Sequence, residues 1–564
     1  MSFNALTLQS VTAELNKRII GARVDKIHQP ETNTITIELR LPGENLSLLL
    51  CTQPSLARMH LTENKFTNPK TPSSFCMLLR KHLDKYRLDK ISNIPFERIV
   101  RFDFSREEDF GRSREKKSLI LEIMGRHSNL ILLDDKNTII DALDRIDESK
   151  SRVRQVLPKL TYTLPPAQKK ENPKTLSLVK FSWFIEVADP NNLPDALFKN
   201  IAGISPYLAK QIISSVVEPK NNPEIVYNRL MELIALSEQG ELVPYIKEEK
   251  LYFYPSQKGS INQVLDAYYT KAFYKDKLNQ QKQNLLSLLS THIEKAEKKL
   301  ALRTGALEKA LDADIYRKKG DLLTSSLYLL EKGATEALVP DYYTEGEPLV
   351  TIELDPRLTP SQNAQSYYKR YNKARSALRN LDTLLEDTKN ELHYLQETKG
   401  LIEAAKDLED LESLNDELIK EGYIKTKKLR QTNRKKDTTS ASQPRRYRTP
   451  SGSEIVVGRN NRQNDMIRRQ GSGDFWWFHT QKLPGAHVVL KTSSPDEKDL
   501  QLAAGLAAYF SKGSEDSLVE VDSARLKYVR KPTGAKPGFV LYDNERTYMV
   551  KPNRAIFSEL KQLN

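Results

Sequence analysis

Hydrophobic residues follow two different periods in the first part of the chain. Between residues 7 and 20 they recur every three or four positions, from Leu8 to Ile19, which predicts a helix. Short alternating stretches bounded by turn residues begin near positions 34, 46, 99, 119 and 129, and these predict strands. A further helix is predicted over residues 73–83. Since prolines cluster between 158 and 166, we place a mixed α/β domain at residues 1–170.

A compact helical region is predicted next, at residues 175–275. It contains the turn Gly203-Ile204 followed by a helical pattern that reaches Ile212. This is the hairpin element of helix-hairpin-helix modules, in which backbone N–H groups face phosphate. A plain packing unit of two helices and a turn fits the same residues equally well.

Residues 276–430 carry two stretches with the three-and-four spacing of a coiled coil. The first stretch extends from Leu286 to Leu307 with Arg303 in one apolar slot, and the second extends from Leu378 to Leu395. A turn-rich insert separates them at residues 333–359. A long dimerising helix is the alternative, but two matched arms around an insert favour an antiparallel hairpin with a small head.

The last part of the chain combines a basic segment with a final α/β domain. We predict a basic linker at 431–448, because the stretch is polar, like-charged and without periodicity. Residues 449–564 are predicted to form a final α/β domain with strands near 454 and 486, a helix at 495–510 and a closing hairpin. From residue 425 onward the chain has 27 Lys and Arg against 14 Asp and Glu, out of a net charge of +14. A basic end on a nearly neutral body indicates a polyanionic partner.

Composition and terminal sequences bear on location and on chemistry. No apolar run of about 18 residues occurs, and neither a signal peptide nor a lipid anchor is recognisable, so we expect a cytoplasmic protein without membrane contact. Cys51 and Cys76 stand in apolar strings and are expected to be reduced core residues. Motifs for metal, nucleotide or nucleophilic catalysis are missing, so we expect no cofactor and no catalytic residues.

Polar and aromatic clusters in the last domain are the candidate RNA contacts. Hydrogen-bond donors crowd a predicted turn after residue 458, aromatic and His residues follow, and a basic Gly/Pro-shaped loop comes last. Each cluster has a structural alternative, namely a polar hairpin cap, core aromatics or a solvated loop. The candidates are Arg459, Asn460, Asn461, Arg462, Gln463, Asn464, Trp476, His479, His487, Lys527, Arg530, Lys531 and Lys536.

Several longer motifs resemble those of the NFACT family. They include Lys26-Ile-His-Gln-Pro30, Phe75 to His82, Glu122 to Asn129, Gly458 to Asn464 and Lys531 to Phe539. The resemblance spans the whole chain in family order. It implies a multidomain α+β fold: an N-terminal α/β domain like that of formamidopyrimidine glycosylases, a helix-hairpin-helix domain, a long antiparallel coiled-coil hairpin and a C-terminal RNA-binding domain.

The resemblance also implies a function in ribosome-associated quality control. Such proteins bind a large ribosomal subunit, through rRNA and ribosomal proteins, when peptidyl-tRNA obstructs it. They recruit alanyl-tRNA and support template-independent C-terminal alanine tailing, with an RqcP-like partner alongside. The ribosome forms the peptide bond, so the factor is not expected to be an enzyme; it positions tRNA.

Site residues in the first domain come from the same resemblance. The family has an Asp-Arg pair that contacts tRNA, and the matching residues here are Glu97 and Arg98, with Glu one methylene longer than Asp. The segment after the predicted strand at 119 maps to the same surface. Its candidate tRNA contacts are Glu122, Ile123, Met124, Arg126 and His127.

Three other functions compete with this one. Family members in bacteria are called fibronectin-binding proteins, so a surface adhesin role is the main alternative. A glycosylase is disfavoured because Ser2-Phe3 stands where those enzymes have their catalytic Pro-Glu pair. A coiled-coil scaffold without RNA is the third.

Overall fold

The computed structural model describes residues 3–107, 114–311, 313–425 and 442–563. Contacts divide the chain into two compact units, Met1–Asp276 and Lys277–Asn564. In the described ranges, none of the helices combines the length and the apolar character that crossing a membrane requires.

The first unit is built on a nine-stranded antiparallel sheet with strand order β4-β3-β2-β1-β5-β6-β7-β8-β9. Helix α1, Ala5–Arg18, begins at the N-cap Asn4, whose side chain accepts the Thr7 N–H, as capping residues do. Helix α2 is Ser74–Leu83. Both predicted helices and all five predicted strands are present. The strands are β1 Arg23–Glu31, β2 Thr34–Leu41, β3 Glu44–Cys51, β4 Arg58–Thr62, β5 Arg87–Asn93, β6 Ile99–Glu107, β7 Arg114–Glu122, β8 Asn129–Leu133 and β9 Ile139–Ala142.

The helical region that follows shares one hydrophobic core with this sheet. Buried residues of that core extend from Phe3 through Phe102 and Leu208 to Phe273. The predicted boundary between domains 1–170 and 175–275 therefore does not separate two cores. The free thiols of Cys51 and Cys76 are buried in this unit, as predicted. Its remaining elements are α3 Leu178–Glu186, α4 Leu193–Asn200, α5 Pro206–Ser214, α6 Pro223–Gln239, β10 Tyr245–Lys247, β11 Lys250–Tyr252 and the start of α7 Ile261–Leu311.

In the second unit, α7 lies antiparallel to a second long helix, α9, Pro360–Ala404. Lys282 Nζ donates to the Glu403 carbonyl at 2.9 Å near one end, and the Arg303 guanidinium donates to the Leu384 carbonyl at 2.6 Å further along. Arg303 also donates to Thr388 Oγ1, so the polar slot of one arm faces the polar slot of the other. The head between the arms comprises α8 Ala313–Ser325, β12 Glu336–Pro340 and β13 Leu349–Glu353.

The C-terminal part has a seven-stranded antiparallel sheet with order β21-β18-β16-β17-β15-β14-β22. Arg445–Arg448 forms a strand of it, β14, because alternate side chains are buried and its backbone pairs with neighbours on both sides. The predicted linker is thus wrong for 445–448; its positions 431–441 lie outside the described residues. The other elements are α10 Leu408–Lys420, β15 Glu454–Val457, α11 Asn461–Gln470, β16 Trp476–Thr480, β17 Val488–Leu490, α12 Glu497–Tyr509, β18 Val519–Arg525, β19 Val529–Arg530, β20 Leu541–Tyr542, β21 Arg546–Val550 and β22 Lys561–Gln562.

Candidate functional site

Glu97 and Arg98 lie in the turn between β5 and β6 and line a pocket of about 280 Å³. The turn is tight: Phe96 has a φ of 58°, and Glu97 N–H donates to the Ile94 carbonyl at 3.1 Å. Lys170 lines the same pocket, with its ammonium 4.3 Å from the Phe198 ring centroid. Partial burial raises the pKa of the Glu97 carboxyl and lowers the pKa of both cationic groups. Charges that are partly buried interact more strongly with a charged ligand than fully exposed charges do.

The far wall of this pocket is the turn between α4 and α5. Gly203 has a φ of 79°, and Ser205 caps helix α5 by accepting the Leu208 N–H at 3.2 Å. The positive end of a nine-residue helix therefore faces the pocket that holds Arg98 and Lys170. Helix N-termini favour anions, so a phosphate group matches this wall.

The second predicted tRNA segment meets the first at the same end of the sheet. Ile123 N–H donates to the Arg98 carbonyl at 2.8 Å, which places the turn after β7 next to the turn before β6. Arg126 and His127 are exposed on a single 3-10 turn, and Met124 is half-buried. These three residues stay accessible near the Arg98 pocket.

Two predicted contacts of that segment are buried and cannot reach RNA. Ile123 is fully buried. Glu122 is 1% exposed, because its carboxylate accepts both Arg154 amino groups, at 2.7 and 3.0 Å, and the Tyr162 hydroxyl at 2.8 Å. The prediction of direct tRNA contact is wrong for these two, which instead hold the turn.

In the second unit, the polar cluster after Gly458 is the N-terminus of helix α11 and not a hairpin turn. Asn460 is the N-cap, and its Oδ1 accepts the Gln463 N–H at 2.8 Å. Gln463 in turn accepts the Arg459 N–H at 3.0 Å, and Asn464 Oδ1 accepts the His487 N–H at 3.1 Å. All of these side chains, and Asn461, are buried. The predicted exposure of a polar turn is therefore wrong.

The partners of this cluster are on helices α9 and α10, far upstream in sequence. Arg459 bonds Asp410 at 2.8 Å and Glu409 at 2.7 Å, and Arg445 pairs with the same Asp410. Further contacts of this kind join Asn460 to Ser413, Asn461 to Thr398 and Glu417, and Arg462 to Glu421. We call this set the latch network, because it attaches the C-terminal sheet to the helical arm. Of its residues predicted to bind RNA, only Arg462 has an exposed side chain.

The Leu483-Pro484-Gly485 loop makes a second attachment to the arm. Gly400 on α9 leaves no space for a β-carbon, because Pro484 lies directly against it. Behind this loop, His479 and His487 have ring centroids 5.0 Å apart beside the buried Trp477. Burial lowers the pKa of His479 to about 4 and places that of His487 well below its usual range. His487 is 3% exposed, so its predicted role as a surface contact is wrong.

An exposed basic and aromatic surface remains around the end of β18. Arg525 lies 5.0 Å from the half-buried Trp476 ring, and Lys527 lies 5.5 Å from the Tyr528 ring. Arg530 is exposed one strand further on. Arg525 and Tyr528 were not predicted, although the alternation along β18 points Arg525 to the face of Trp476. Cations beside accessible rings suit an RNA backbone and an unstacked base.

Lys527 and Arg530 also have acidic neighbours on this surface, since each lies 3.5 Å from a carboxylate, Asp474 and Asp543. The remaining two basic candidates are less exposed and lie beside more buried carboxylates. Lys531 Nζ is 2.5 Å from Asp465, and Lys536 Nζ is 3.5 Å from Glu421. Gly538 in the same loop abuts Asn461 of the latch network. These lysines therefore hold the loop in place. Within the described ranges, no three His, Cys, Asp or Glu side chains are grouped to hold a metal ion.

Two protein-family models match consecutive parts of the chain. A family model described as NFACT N-terminal and middle domains matches residues 4–437, and one described as NFACT protein RNA binding domain matches residues 445–536. The chain belongs to the NFACT family. It is 35% identical to the Rqc2 homolog RqcH of Bacillus subtilis and 33% identical to that of Streptococcus suis, with full coverage of all chains. Human NEMF, a ribosome quality control complex subunit, is 34% identical over 28% of this chain and 14% of that protein.

Two solved structures from one streptococcal protein are similar to parts of this chain. The N-terminal part of a fibronectin/fibrinogen-binding protein from Streptococcus suis is 30% identical, covering 48% of this chain and all of that one, with a TM-score of 0.41. The C-terminal part of that protein is 31% identical, covering 50% of this chain and 99% of that one, with a TM-score of 0.38. The family match supports a ribosome-associated role and RNA as a partner for this NFACT chain.

Proposed function

We propose that this protein binds large ribosomal subunits obstructed by peptidyl-tRNA, recruits alanyl-tRNA and supports template-independent alanine tailing of the stalled chain. The observation that carries the proposal is the pocket in which Glu97, Arg98 and Lys170 face the Gly203 turn. Exposed Arg126 and His127 extend that surface from the same sheet end. A tRNA offers both the phosphate and the base edges that such a surface recognises.

The chemistry in this proposal is positional. A charged pocket orders tRNA against the ribosome, and the ribosome forms each peptide bond. The Arg525, Lys527, Tyr528 and Arg530 surface then serves as the general RNA contact of the C-terminal domain. The protein acts in the cytoplasm on the ribosome, with an RqcP-like protein as its partner.

The proposal is tested by purifying the protein under mild conditions and sequencing the RNA bound to it. Large-subunit rRNA together with enriched alanine tRNA is the expected result. Recovery of rRNA without any tRNA enrichment contradicts the tailing function, and recovery without RNA contradicts the ribosomal function altogether. Fibronectin binding stays a prediction, tested by accessibility of the protein on intact cells.

A further inference from the structure

The β-hairpin of the head exposes an apolar face at the end of the helical arm. Ala337, Val339 and Ile352 point inward and are buried against α8 and α9. On the outer side, Leu338 is 59% exposed and Leu349 is 62% exposed. Leu338 pairs with Thr351 and Pro340 pairs with Leu349, so the two leucines are diagonal neighbours on one face. Exposed apolar side chains that adjoin on one face of a β-hairpin can form a binding surface for another molecule.

The charge around these leucines is opposite in sign to that of the whole chain. Residues 327–355 contain seven Asp and Glu against one Lys, whereas the chain carries +14. Glu336 and Glu353 stand directly opposite each other across the hairpin, and both are exposed. Like charges in that position are unfavourable unless a cation lies over them. Two of these acids are already compensated, because Asp341 is buried against Lys318 at 2.5 Å and Asp355 pairs with Arg357 at 2.8 Å.

We propose that this outer face, made of Glu336, Leu338, Leu349, Thr351 and Glu353, binds a protein that surrounds an apolar centre with Lys and Arg. RNA is disfavoured as the occupant, because phosphate would meet the two glutamates. A symmetric contact with a second copy of this chain is disfavoured as well, because it would bring the same acidic face. The location of the partner on the large subunit rests on the proposed function; the chemistry of the face does not.

The test places the photo-crosslinking residue p-benzoylphenylalanine at position 338 of the full chain. The variant is irradiated on purified large subunits that carry peptidyl-tRNA. We expect an adduct with a protein whose cross-linked peptide is rich in Lys and Arg, identified by mass spectrometry. The charge reversal Glu336→Lys/Glu353→Lys should lower the yield of this adduct about tenfold, because like charges then meet across the contact.

The matched control reverses two exposed charges on the shaft of α7, as Glu294→Lys/Glu297→Lys. It should leave the yield within about twofold, since these residues lie roughly 20 Å or more from the helix end. Three outcomes overturn the proposal. They are an adduct with rRNA, the absence of an adduct on subunits that retain the chain, and an equal loss of adduct yield in both variants. Failure to sediment with subunits would instead contradict the proposed function. In that case the charge reversal and its control would be compared for cross-linking, through position 338, to proteins extracted from purified subunits. Equal cross-linking yields in the two variants would overturn the acidic face as a binding site.

Discussion

Phe96 packs directly on Gly203, joining the turn before β6 to the turn before α5. A β-carbon on Gly203 would lie 3.0 Å from the Phe96 β-carbon, and both residues have positive φ, 79° and 58°. Since Glu97 and Arg98 follow Phe96 immediately, this contact sets the distance between the charged pair and the helix end. Sheet and helices meet here, inside one core, and the candidate tRNA pocket is formed by their junction.

Replacing Gly203 with Ala should therefore cost more than backbone strain alone. We expect a loss of about 2–4 kcal/mol in unfolding free energy, from positive φ plus the clash with Phe96. Gly43→Ala is the matched control, because Gly43 has a φ of 85° and no heavy atom within 4 Å of an added β-carbon. That control should lose about 1 kcal/mol. Equal losses in denaturant unfolding would show that the close approach to Phe96 is unimportant.

Arg98→Ala should separate tRNA positioning from ribosome binding. Loss of the partly buried guanidinium should lower alanine tailing of a stalled reporter about 100-fold, as misplacement of a reactant does. Co-sedimentation with large subunits should stay within about twofold. Arg40→Ala, an exposed arginine on β2, serves as the control and should tail normally. Tails of ordinary length in Arg98→Ala would refute the assigned role.

Arg459→Ala should destabilise the second unit strongly, because it leaves Asp410 with one of its two buried cations. Breaking a buried ion pair costs about 3–5 kcal/mol. Arg448→Ala removes an exposed arginine of β14 and should change stability by less than about 0.5 kcal/mol. Thermal unfolding of both variants decides the matter; similar midpoints would mean that the latch network contributes little.

Lys527→Ala/Arg530→Ala should weaken RNA binding without affecting stability. Each exposed cation that neutralises a phosphate contributes about one to the dependence of log K on log salt, so the slope should fall by about two. The measurement is a titration of a large-subunit rRNA fragment at several salt concentrations. Lys498→Ala/Lys512→Ala, two other exposed lysines of the domain, are the control. If Lys527→Ala/Arg530→Ala leaves the dependence of log K on log salt unchanged, the RNA contact lies elsewhere on the protein.

Acidification should destabilise the first unit through His60. Burial, followed by the charge of Arg58, lowers the pKa of His60 from 6.5 to about 4 in the folded state. The unfolded chain therefore binds the proton first, so the contribution to stability is complete above pH 6.5 and falls between pH 6.5 and 4. The loss is about 2 kcal/mol by pH 5. His60→Gln should flatten this dependence, and His127→Gln, at an exposed position, should keep it.

The periodic parts of the fold were predictable, and the reasons are local. Heptad spacing predicted both arms of the helical hairpin, and even the polar slot at Arg303 has its counterpart in Thr388. Strands β1, β4, β5 and β9 were not predicted. β1 contains Pro30, and β1 and β5 carry mixed charged residues on their exposed faces, so neither alternates cleanly.

The exposure of polar residues was not predictable in the same way. Arg459 to Asn464 look like RNA contacts in sequence because their partners, Asp410, Ser413 and Glu417, stand more than 40 positions upstream. A dense polar segment can serve a ligand or another helix, and composition is the same in both cases. The residues of the family motif after Gly458 therefore attach the domain to the helical arm. The residues of the basic surface around Tyr528 do not belong to a long motif.

The contact of Pro484 with Gly400 also limits how the chain can change in length. Each residue inserted in a helix rotates the rest of the helix by about 100°. One extra residue in α10 or near Gly400 would therefore turn Gly400 away from Pro484, or turn the carboxylates of the latch network away from their partners. Seven residues added to each arm on the head side would leave this base untouched and preserve the seam. The length of the two arms can thus change on the head side without changing the contacts that attach the C-terminal sheet. Relatives with longer or shorter arms can keep the same C-terminal attachment.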